Sequence, residues 1–205
     1  MIDDEKIMGS ERIEKLNRFT SIETGIYVEG ELVQFQEVLL FDDQIGVMLP
    51  VEFEDMEPGE ARKKYFSEQR PRIIKTNKEG TVDFSFNMID YKVASEDLEA
   101  VINDFHHVLK RFQPMSVCLE IGSDLQAPAP FAWMEFISSA LDENLYNVLT
   151  IYLVGDKLLM LMFNCPFQRR MDWLNCLTQI RKTIVLYEKG ERKNISVYDR
   201  RKEIC

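Results

Sequence analysis

The sequence lacks the short motifs that usually identify an enzyme. It contains no GxSxG nucleophile motif, no P-loop, no GxGxxG and no HExxH. None of its four cysteines forms a CxxC pair, so a zinc ribbon or a thioredoxin-type redox site has no support. No sequence motif therefore supports a catalytic function. We expect a protein that is not an enzyme and that uses no cofactor and no metal.

The sequence also lacks an apolar run of the roughly 20 residues that a membrane-spanning helix needs. The longest run, "NVLTIYLVGDKLLMLMF", is interrupted at Gly155, Asp156 and Lys157 and predicts a β-hairpin instead. The beginning, "MIDDEKIMGSERIEKLNRF", is acidic and has no apolar core of a secretory signal. We therefore expect no membrane insertion and a cytoplasmic location. In that reducing compartment, the cysteines are expected to be free thiols that pack as small apolar groups.

Charge is unevenly distributed along the chain. The net charge is −10, and residues 1–113 contain 24 acidic against 14 basic side chains. Residues 157–205 contain 11 basic against 5 acidic side chains. The overall acidity opposes binding to the nucleic-acid phosphate backbone, so no nucleic-acid partner is expected. The basic end leaves a local exception to this exclusion open, and the other candidates for its partner are the acidic half of the same chain and that of a second copy.

The pattern divides the chain into three parts. Residues 1–23 are expected to be a helical extension, because Ile13, Leu16 and Phe19 recur at a spacing of three. Residues 24–187 are expected to form a single α+β domain, and residues 188–205 a polar, basic tail. Within the domain, "ELVQFQEVLLF" predicts a strand with Val33, Phe35, Leu39 and Phe41 on one face. "QIGVMLP" and the hairpin "RPRIIKTNKEGTVDFSFNMI" add further strands.

Three helices are predicted. One begins near Pro58, since proline and nearby carboxylates suit a first turn. The second follows Ser95 as its cap, and the third runs from about Phe167 to Leu186 after Asn164 and Pro166. The apolar stripe expected to face the core in the second helix consists of Leu98, Val101, Ile102, Phe105, Leu109 and Phe112. The corresponding stripe of the third helix consists of Phe167, Met171, Leu174, Leu177, Ile180 and Ile184.

The order of these elements predicts the fold class. Strands are followed by a helix, a hairpin, a helix, more strands and a last helix, and the short connections between strands require antiparallel pairing. The runs "YNVLTIYLV" and "KLLMLMF" are apolar on both faces, which places them centrally in a sheet covered on both sides. We therefore expect an α+β domain, an α/β/α sandwich with a central antiparallel sheet and helices on both faces.

Two charged stretches are the candidate partner-binding surface. Each has two interpretations, a solvated surface or a docking surface that steers association by charge. The candidate residues are Glu52, Glu54, Asp55 and Glu57 in "VEFEDMEPGE", and Arg169, Arg170 and Asp172 in "QRRMDW".

Glu120, Glu135 and His106 are the alternative candidates, for a cleft with acid–base chemistry. Glu120 and Glu135 lie in strand runs and would be close if those strands pair. The competing interpretation is a solvated patch, although Glu135 shares its strand face with Trp133 and is a candidate for burial. His106 and His107 point about 100° apart on a helix and cannot hold one metal ion together. The simpler interpretation is a boundary histidine and a surface histidine.

Two stretches resemble a known family. "IGVMLPVEFEDMEPGEARKKYFSEQRPRIIKTNKEGTVDFSFNMI" is similar to the first half of PsbP/Mog-type domains, in which a strand ending in "LP" precedes a short helix and a hairpin. "KLLMLMFNCPFQRRMDWLNCLTQIRKTI" resembles their final strand and terminal helix. The resemblance, which includes proteins of the DcrB type, covers roughly residues 30–186. It implies a bacterial member with an α/β/α sandwich fold and no enzyme activity.

The functional roles implied by this resemblance are binding roles, including extrinsic photosystem subunits, Ran-binding proteins and chaperones for secreted effectors. The leading prediction is a non-catalytic, cytoplasmic protein-binding module, an adaptor or small chaperone. Its partner would be another protein or a second copy of the chain, and a small molecule is not expected. The alternative is a small-ligand binder or an enzyme using the carboxylate and histidine cleft.

Overall fold

The computed structural model describes residues 17–65, 70–140 and 143–187 of the 205-residue chain. Residues 1–16 of the expected helical extension and the whole expected tail, 188–205, lie outside the described residues. Within the described part of the extension, Phe19 lies in a turn and is 91% exposed, so the helical spacing does not continue to it. Ile22, by contrast, is buried in the main core.

The elements follow the predicted order. The strands are β1 (Ile26–Val28), β2 (Glu31–Val33), β3 (Phe35–Leu40), β4 (Ile45–Pro50), β5 (Glu54–Asp55), β6 (Ile73–Thr76), β7 (Asp83–Asp90), β8 (Val117–Asp124), β9 (Phe131–Ser139), β10 (Asn144–Val154), β11 (Lys157–Pro166) and β12 (Val185–Leu186). The helices are α1 (Pro58–Lys64), α2 (Leu98–Phe112) and α3 (Arg170–Ile180).

Seven of these strands form one antiparallel sheet, in the order β5-β6-β7-β11-β10-β9-β8. The two doubly apolar strands, β10 and β11, lie in its interior, which confirms their predicted central position. They are joined by the two-residue turn Gly155–Asp156, between the paired residues Val154 and Lys157. Gly155 has a φ of 61°, a conformation that glycine adopts without steric cost. The predicted antiparallel α+β fold is therefore confirmed.

Smaller sheets lie beside the large one. β1 pairs with β2 through a turn at Glu29 and Gly30, whose φ angles of 53° and 88° are those of a two-residue hairpin of the type that matches strand twist. β3, β4 and β12 form a three-stranded sheet in the order β12-β4-β3. The sequence patterns indicated β3 and β4 but not β1 or β12, because runs of two or three residues carry no readable alternation.

Alternate residues of the central strands belong to two different cores. Leu149 and Ile151 of β10 pack with Leu98 and Ile102 of α2. The flanking positions of the same strand, Val148 and Tyr152, belong to the larger core that contains the buried face of α3. Because successive side chains of a strand point to opposite faces, each core uses its own face of these strands.

Helix α2 agrees with its predicted stripe except at its C-terminal end. Leu98, Val101 and Ile102 are buried, but Phe112 is 76% exposed, so its predicted place in the core was wrong. Phe112 is the last residue of the helix, and a helical stripe is buried only where another element lies beneath it. Ser95 begins a short 3₁₀ turn that precedes α2, so the helix starts two residues later than a cap at Ser95 would place it.

Helix α3 is shorter than predicted, and its buried face agrees with the predicted stripe at Leu177, Ile180 and the following Ile184 but not in its first turn. It spans Arg170–Ile180, and its buried residues are Trp173, Cys176, Leu177 and Ile180. Met171 is 57% exposed and was wrongly placed on the stripe. The error came from setting the helical phase by Phe167, which lies in a preceding 3₁₀ turn with fewer residues per turn.

Two single-residue predictions near the strands were also wrong. Asn164 does not cap α3, because β11 continues to Pro166 and Asn164 pairs with Asp83 of β7. Leu39 is 47% exposed, whereas its neighbour Leu40 is buried, so Leu39 was wrongly placed on the buried face. Val33, Phe35 and Phe41 of the same predicted face do contact the main core. The predicted long strand is two strands, and their alternation does not continue across Gln34.

Candidate partner-binding surface

The acidic stretch lies at one edge of the large sheet. Glu54 and Asp55 form β5, the two-residue edge strand, and Glu57 is the residue that precedes α1. Pro58 occupies the first helical position, as its fixed φ predicts. Glu52, Glu54 and Glu57 are exposed. The structure therefore places these carboxylates on the molecular surface, as the docking interpretation requires.

Asp55 differs from the other acids because it has an ion-pair partner. Its Oδ1 lies 2.9 Å from Nζ of Lys75 on the neighbouring strand β6. The Asp55 side chain is 75% exposed, and an exposed pair of this kind adds at most about 1 kcal/mol to stability. Asp55 thus helps to hold the edge strand, while its remaining surface faces solvent.

Phe53, in the middle of the acidic stretch, connects it to α3. Its ring packs against Trp173, with 5.8 Å between the ring centroids, and against Phe84 at 5.7 Å. Trp173 also packs against Phe163 of β11 at 5.5 Å. Aromatic pairs at these distances add to the stabilisation that burial provides. The acidic stretch and the first turn of α3 are therefore held together by one buried aromatic cluster.

Arg169 is fastened to the β1–β2 turn. Its Nε lies 3.5 Å from Oε1 of Glu29, and its Nη1 donates to Oγ1 of Thr81 at 3.3 Å. The indole Nε1 of Trp173 donates to the same Glu29 oxygen at 3.4 Å. Arg169 and Glu29 are each more than one-third exposed, so this ion pair stays in contact with water. Its main effect is to fix the position of the turn before α3.

Arg170 and Asp172 complete the basic stretch. The Arg170 guanidinium lies over the ring of Phe167, 4.1 Å from its centroid. Burial raises the pKa of the Asp172 carboxyl, and the nearby Glu29 raises it further, while Arg169 opposes the change. Glu29 therefore attracts Arg169 and, as a like charge, disfavours ionisation of Asp172. The structure brings all three predicted residues of this stretch to the start of α3.

Lys64, Tyr65 and Asp83 fasten helix α1 to the sheet. Asp83 is fully buried, and its Oδ2 accepts from Lys64 Nζ at 2.7 Å. Its Oδ1 accepts from the Tyr65 hydroxyl at 2.5 Å. Burial raises the pKa of Tyr65, and the Asp83 carboxylate raises it further. Loss of either donor would leave the buried charge less well compensated, so these two bonds stabilise the position of α1 beside the acidic stretch.

A second buried ion pair lies at Glu135. Its Oε2 accepts from the Tyr146 hydroxyl at 2.6 Å, and its Oε1 lies 3.5 Å from Nη2 of Arg181. The Arg181 guanidinium lies over Trp133, 4.5 Å from the ring centroid. The backbone carbonyl of Arg181 accepts a hydrogen bond from the Tyr152 hydroxyl. Burial raises the pKa of Tyr146, and its bond to Glu135 adds to the effect. This network connects the residue after α3 to the large sheet.

The alternative cleft is not assembled by the fold. Glu120 and Glu135 are register partners on β8 and β9, as the sequence suggested for paired strands. His106 of α2 lies elsewhere, because Met134 and Phe136 pack with α2 and Glu135 between them points to the other face. His106 is half-buried and His107 exposed, which confirms the simpler interpretation of both. The Glu135 carboxylate is occupied by Tyr146 and Arg181.

The three cysteines of the described residues differ in accessibility. Cys165 and Cys176 are fully buried, and burial raises the pKa of Cys165 to about 12, with Glu29 as the next cause. Burial also raises the pKa of Cys176, and Cys118 is only half-buried. All three are free thiols. Among the described residues, no group of three or more His, Cys, Asp or Glu side chains is arranged to hold a metal ion.

These environments predict the order of thiol labelling. Near pH 8, iodoacetamide is expected to modify Cys118 well before Cys165 and Cys176, because the thiolate is the reactive form and burial disfavours it. Peptide mapping by mass spectrometry at increasing reaction times measures the three rates. Labelling in urea is the control, in which the three rates should converge. Rapid modification of Cys176 in the native protein would contradict the buried position of α3.

The residues that sequence reasoning missed are those that connect distant segments. Glu29, Trp173 and Arg181 have no motif around them, and the contact between Trp173 and Glu29 joins residues 144 positions apart. One local signal was available for Glu29, since "IYVEGELV" places a glutamate and a glycine between two short β-forming runs. For Arg181, no local pattern distinguished it from an exposed arginine at the end of a helix.

Comparison with known proteins gives the fold. No protein-family model matches the chain, and no curated protein matches it. Among solved structures, the cyanobacterial PsbP (CyanoP) from Synechocystis sp. PCC 6803 superposes with a TM-score of 0.58 and 9% identity, over 80% of this chain and 98% of that one. The chain has a PsbP/Mog-like fold.

Two further structures are similar. LpqN of Mycobacterium tuberculosis, involved in cell envelope biogenesis, gives a TM-score of 0.52 at 9% identity, over 82% of this chain and 98% of that one. The Ran-binding protein Mog1p of Saccharomyces cerevisiae gives 0.49 at 11% identity, over 75% and 96%. On the two structures with TM-scores above 0.5, the expected resemblance to PsbP/Mog-type domains is confirmed at the level of the fold. No helix among the described residues is long and apolar enough to cross a membrane.

Proposed function

We propose that this chain is a non-catalytic protein-binding module, an adaptor or small chaperone. Its partner surface combines the acidic stretch at Glu52, Glu54, Asp55 and Glu57 with the start of α3 at Arg169, Arg170 and Asp172. The observation that carries the proposal is the contact between Phe53 and Trp173, which holds the two charged stretches side by side. A partner that presents basic groups to the acidic stretch would complement this surface.

The rigidity of this surface supports a binding role. β5 is held by Lys75, α1 by the buried Asp83, and the turn before α3 by Glu29 and Thr81. A preorganised surface loses less conformational entropy when it binds, so more of its contact energy appears as affinity. The exposed carboxylates of Glu52, Glu54 and Glu57 supply charge that steers encounter without being used in ion pairs at the core.

The proposal includes a sandwich architecture in which helices cover both faces of the large sheet. It is supported by the two cores, one containing α2 and the other containing α3, which use alternate residues of β9, β10 and β11. In this arrangement α3 and the acidic stretch share one side of the sheet, away from α2. The proposal also keeps the division into an extension (1–23), one domain (24–187) and a tail (188–205), in a bacterial cytoplasm.

The test is a native pull-down with mass spectrometry on the full chain. The variant combines Glu52→Gln, Glu54→Gln and Glu57→Gln, and it leaves Asp55 and its partner Lys75 unchanged. It is expected to recover severalfold less partner than the wild type, because steering by exposed charge is lost. The recovered proteins are quantified relative to the bait.

A matched control removes the same amount of charge elsewhere on the surface. The combination Glu23→Gln, Asp104→Asn and Glu143→Gln changes three exposed carboxylates and should recover the partner as the wild type does. Equal recovery by both variants would place the partner on another surface. Recovery of no partner, together with turnover in a metabolite screen, would contradict the non-catalytic role itself.

A further inference from the structure

The two edges of the large sheet are built differently. β5, at one edge, is two residues long, and both of its residues are acidic. Short, charged strands are a usual way of preventing edge-to-edge pairing. β8, at the other edge, is eight residues long and contains neither proline nor lysine. Among the described residues it pairs only with β9, so one side of its backbone is open to another strand.

Apolar side chains remain exposed along this open edge. Val117 and Leu119 of β8 are 52% and 47% exposed, and Met115, two residues before the strand, is 82% exposed. A bulge between Cys118 and Glu120 turns this part of the strand. Water-exposed apolar groups beside unpaired backbone favour association with a second strand.

Charges on the neighbouring helix form a second pattern along the same edge. Glu99, Asn103, His106 and Lys110 recur at spacings of four, three and four, which places them in one row along α2. The row faces β8, because Ser123 Oγ donates to Glu99 and Lys110 Nζ donates to the carbonyl of Ser116. One end of the edge is therefore acidic and the other basic.

We propose that two copies of the chain associate through antiparallel pairing of β8 with β8 of the second copy, around a two-fold axis near Leu119 and Glu120. The two-fold axis brings the Glu99 end of each copy to the Lys110 end of the other, so opposite charges meet twice. It also buries Leu119 beside its counterpart near the axis, and it brings Val117 into the contact opposite the second half of the other copy's β8. A contact of this isologous type uses the same patch on both copies, which the polarity of the edge satisfies.

Glu120 opposes this contact to a limited extent. It is exposed and lies near the axis, so the two copies of its carboxylate approach one another. Like charges directly across paired strands are destabilising. Glu120→Gln is therefore expected to strengthen the dimer, which is the reverse of what loss of a favourable polar contact would do.

The experiment is sedimentation equilibrium of the full chain between about 1 and 100 µM, at low and high salt. The wild type is expected to dimerise, more weakly at high salt. Leu119→Lys and Val117→Lys should each weaken the dimer about tenfold or more, because each places a charge in the interface. The matched control is Leu39→Lys, which changes a leucine of the same exposure, 47%, on the three-stranded sheet and should leave the dimer unchanged.

A charge exchange tests the orientation. Lys110→Glu alone should weaken the dimer, and adding Glu99→Lys in the same chain should restore it, because the opposite charges of the two copies meet again. The bonds of these residues to Ser116 and Ser123 of their own chain are not restored, so a purely structural role predicts no rescue. A monomer across the concentration range, or a dimer that Leu119→Lys leaves intact, would overturn the proposal. The outcome is independent of the acidic surface, which the pull-down tests separately.

Discussion

Glu135→Ala is expected to lower the free energy of unfolding by about 3–5 kcal/mol. The substitution removes the carboxylate that faces Arg181 and leaves that guanidinium buried with its charge uncompensated, since both side chains are less than one-tenth exposed. The Tyr146 hydroxyl loses its acceptor at the same time. Urea denaturation with linear extrapolation measures the change.

A variant in which both charges are removed separates the ion pair from packing. Glu135→Met combined with Arg181→Met should be less destabilising than Glu135→Ala alone, because no buried charge is left without a partner. The matched control is Asp90→Ala, which breaks the exposed pair with Lys157 and should change stability by about 0.5 kcal/mol or less. A loss below about 1 kcal/mol for Glu135→Ala would show that Arg181 reaches water in the native state.

Trp173→Ala is expected to cost about 3–5 kcal/mol, the range for removing a buried large aromatic side chain. The indole is 4% exposed and contacts the rings of Phe53, Phe84 and Phe163. Its removal leaves a cavity between α3 and the sheet and frees Phe53 from its contact with the helix. The same urea measurement gives the size of the effect.

Two other substitutions serve as controls for the Trp173→Ala measurement. Met171→Ala, two residues earlier on the same helix, removes an exposed side chain and should change stability by about 0.5 kcal/mol or less. Trp173→Phe keeps an aromatic ring but loses the bond to Glu29, and it should be clearly less destabilising than Trp173→Ala. Equal losses for Met171→Ala and Trp173→Ala would contradict the assigned face of α3.

The parts of the fold that the sequence predicts are those set by local periodicity. The apolar runs of β10 and β11 and the turn at Gly155 indicated a central hairpin, because burial on both faces leaves a continuous apolar sequence. The first two turns of α2 were readable from Leu98, Val101 and Ile102, because apolar residues at helical spacing indicate the buried face of a helix. Phe112 continued the pattern but is exposed, since periodicity gives the face of a helix and not the extent of the sheet below it.

The candidate surface was only partly predictable. The charged residues were identifiable from composition, but their proximity depends on Phe53 and Trp173, which are distant in sequence and meet through the tertiary fold. Glu135 was suspected of burial because Trp133 shares its strand face. Its partner Arg181 lies 46 residues further along, where a local sequence pattern carries no information about contact.

The most direct test of the partner surface is site-specific photo-crosslinking of the full chain in its native cells. A photoreactive residue replaces Glu54 in one variant, Arg170 in a second and Leu39 in a control, all positions at least partly open to solvent. The proposed function predicts that the variants at 54 and 170 crosslink to the same protein and that the control at 39 does not. Crosslinks to that protein from position 39 alone, or from none of the three positions, would contradict it.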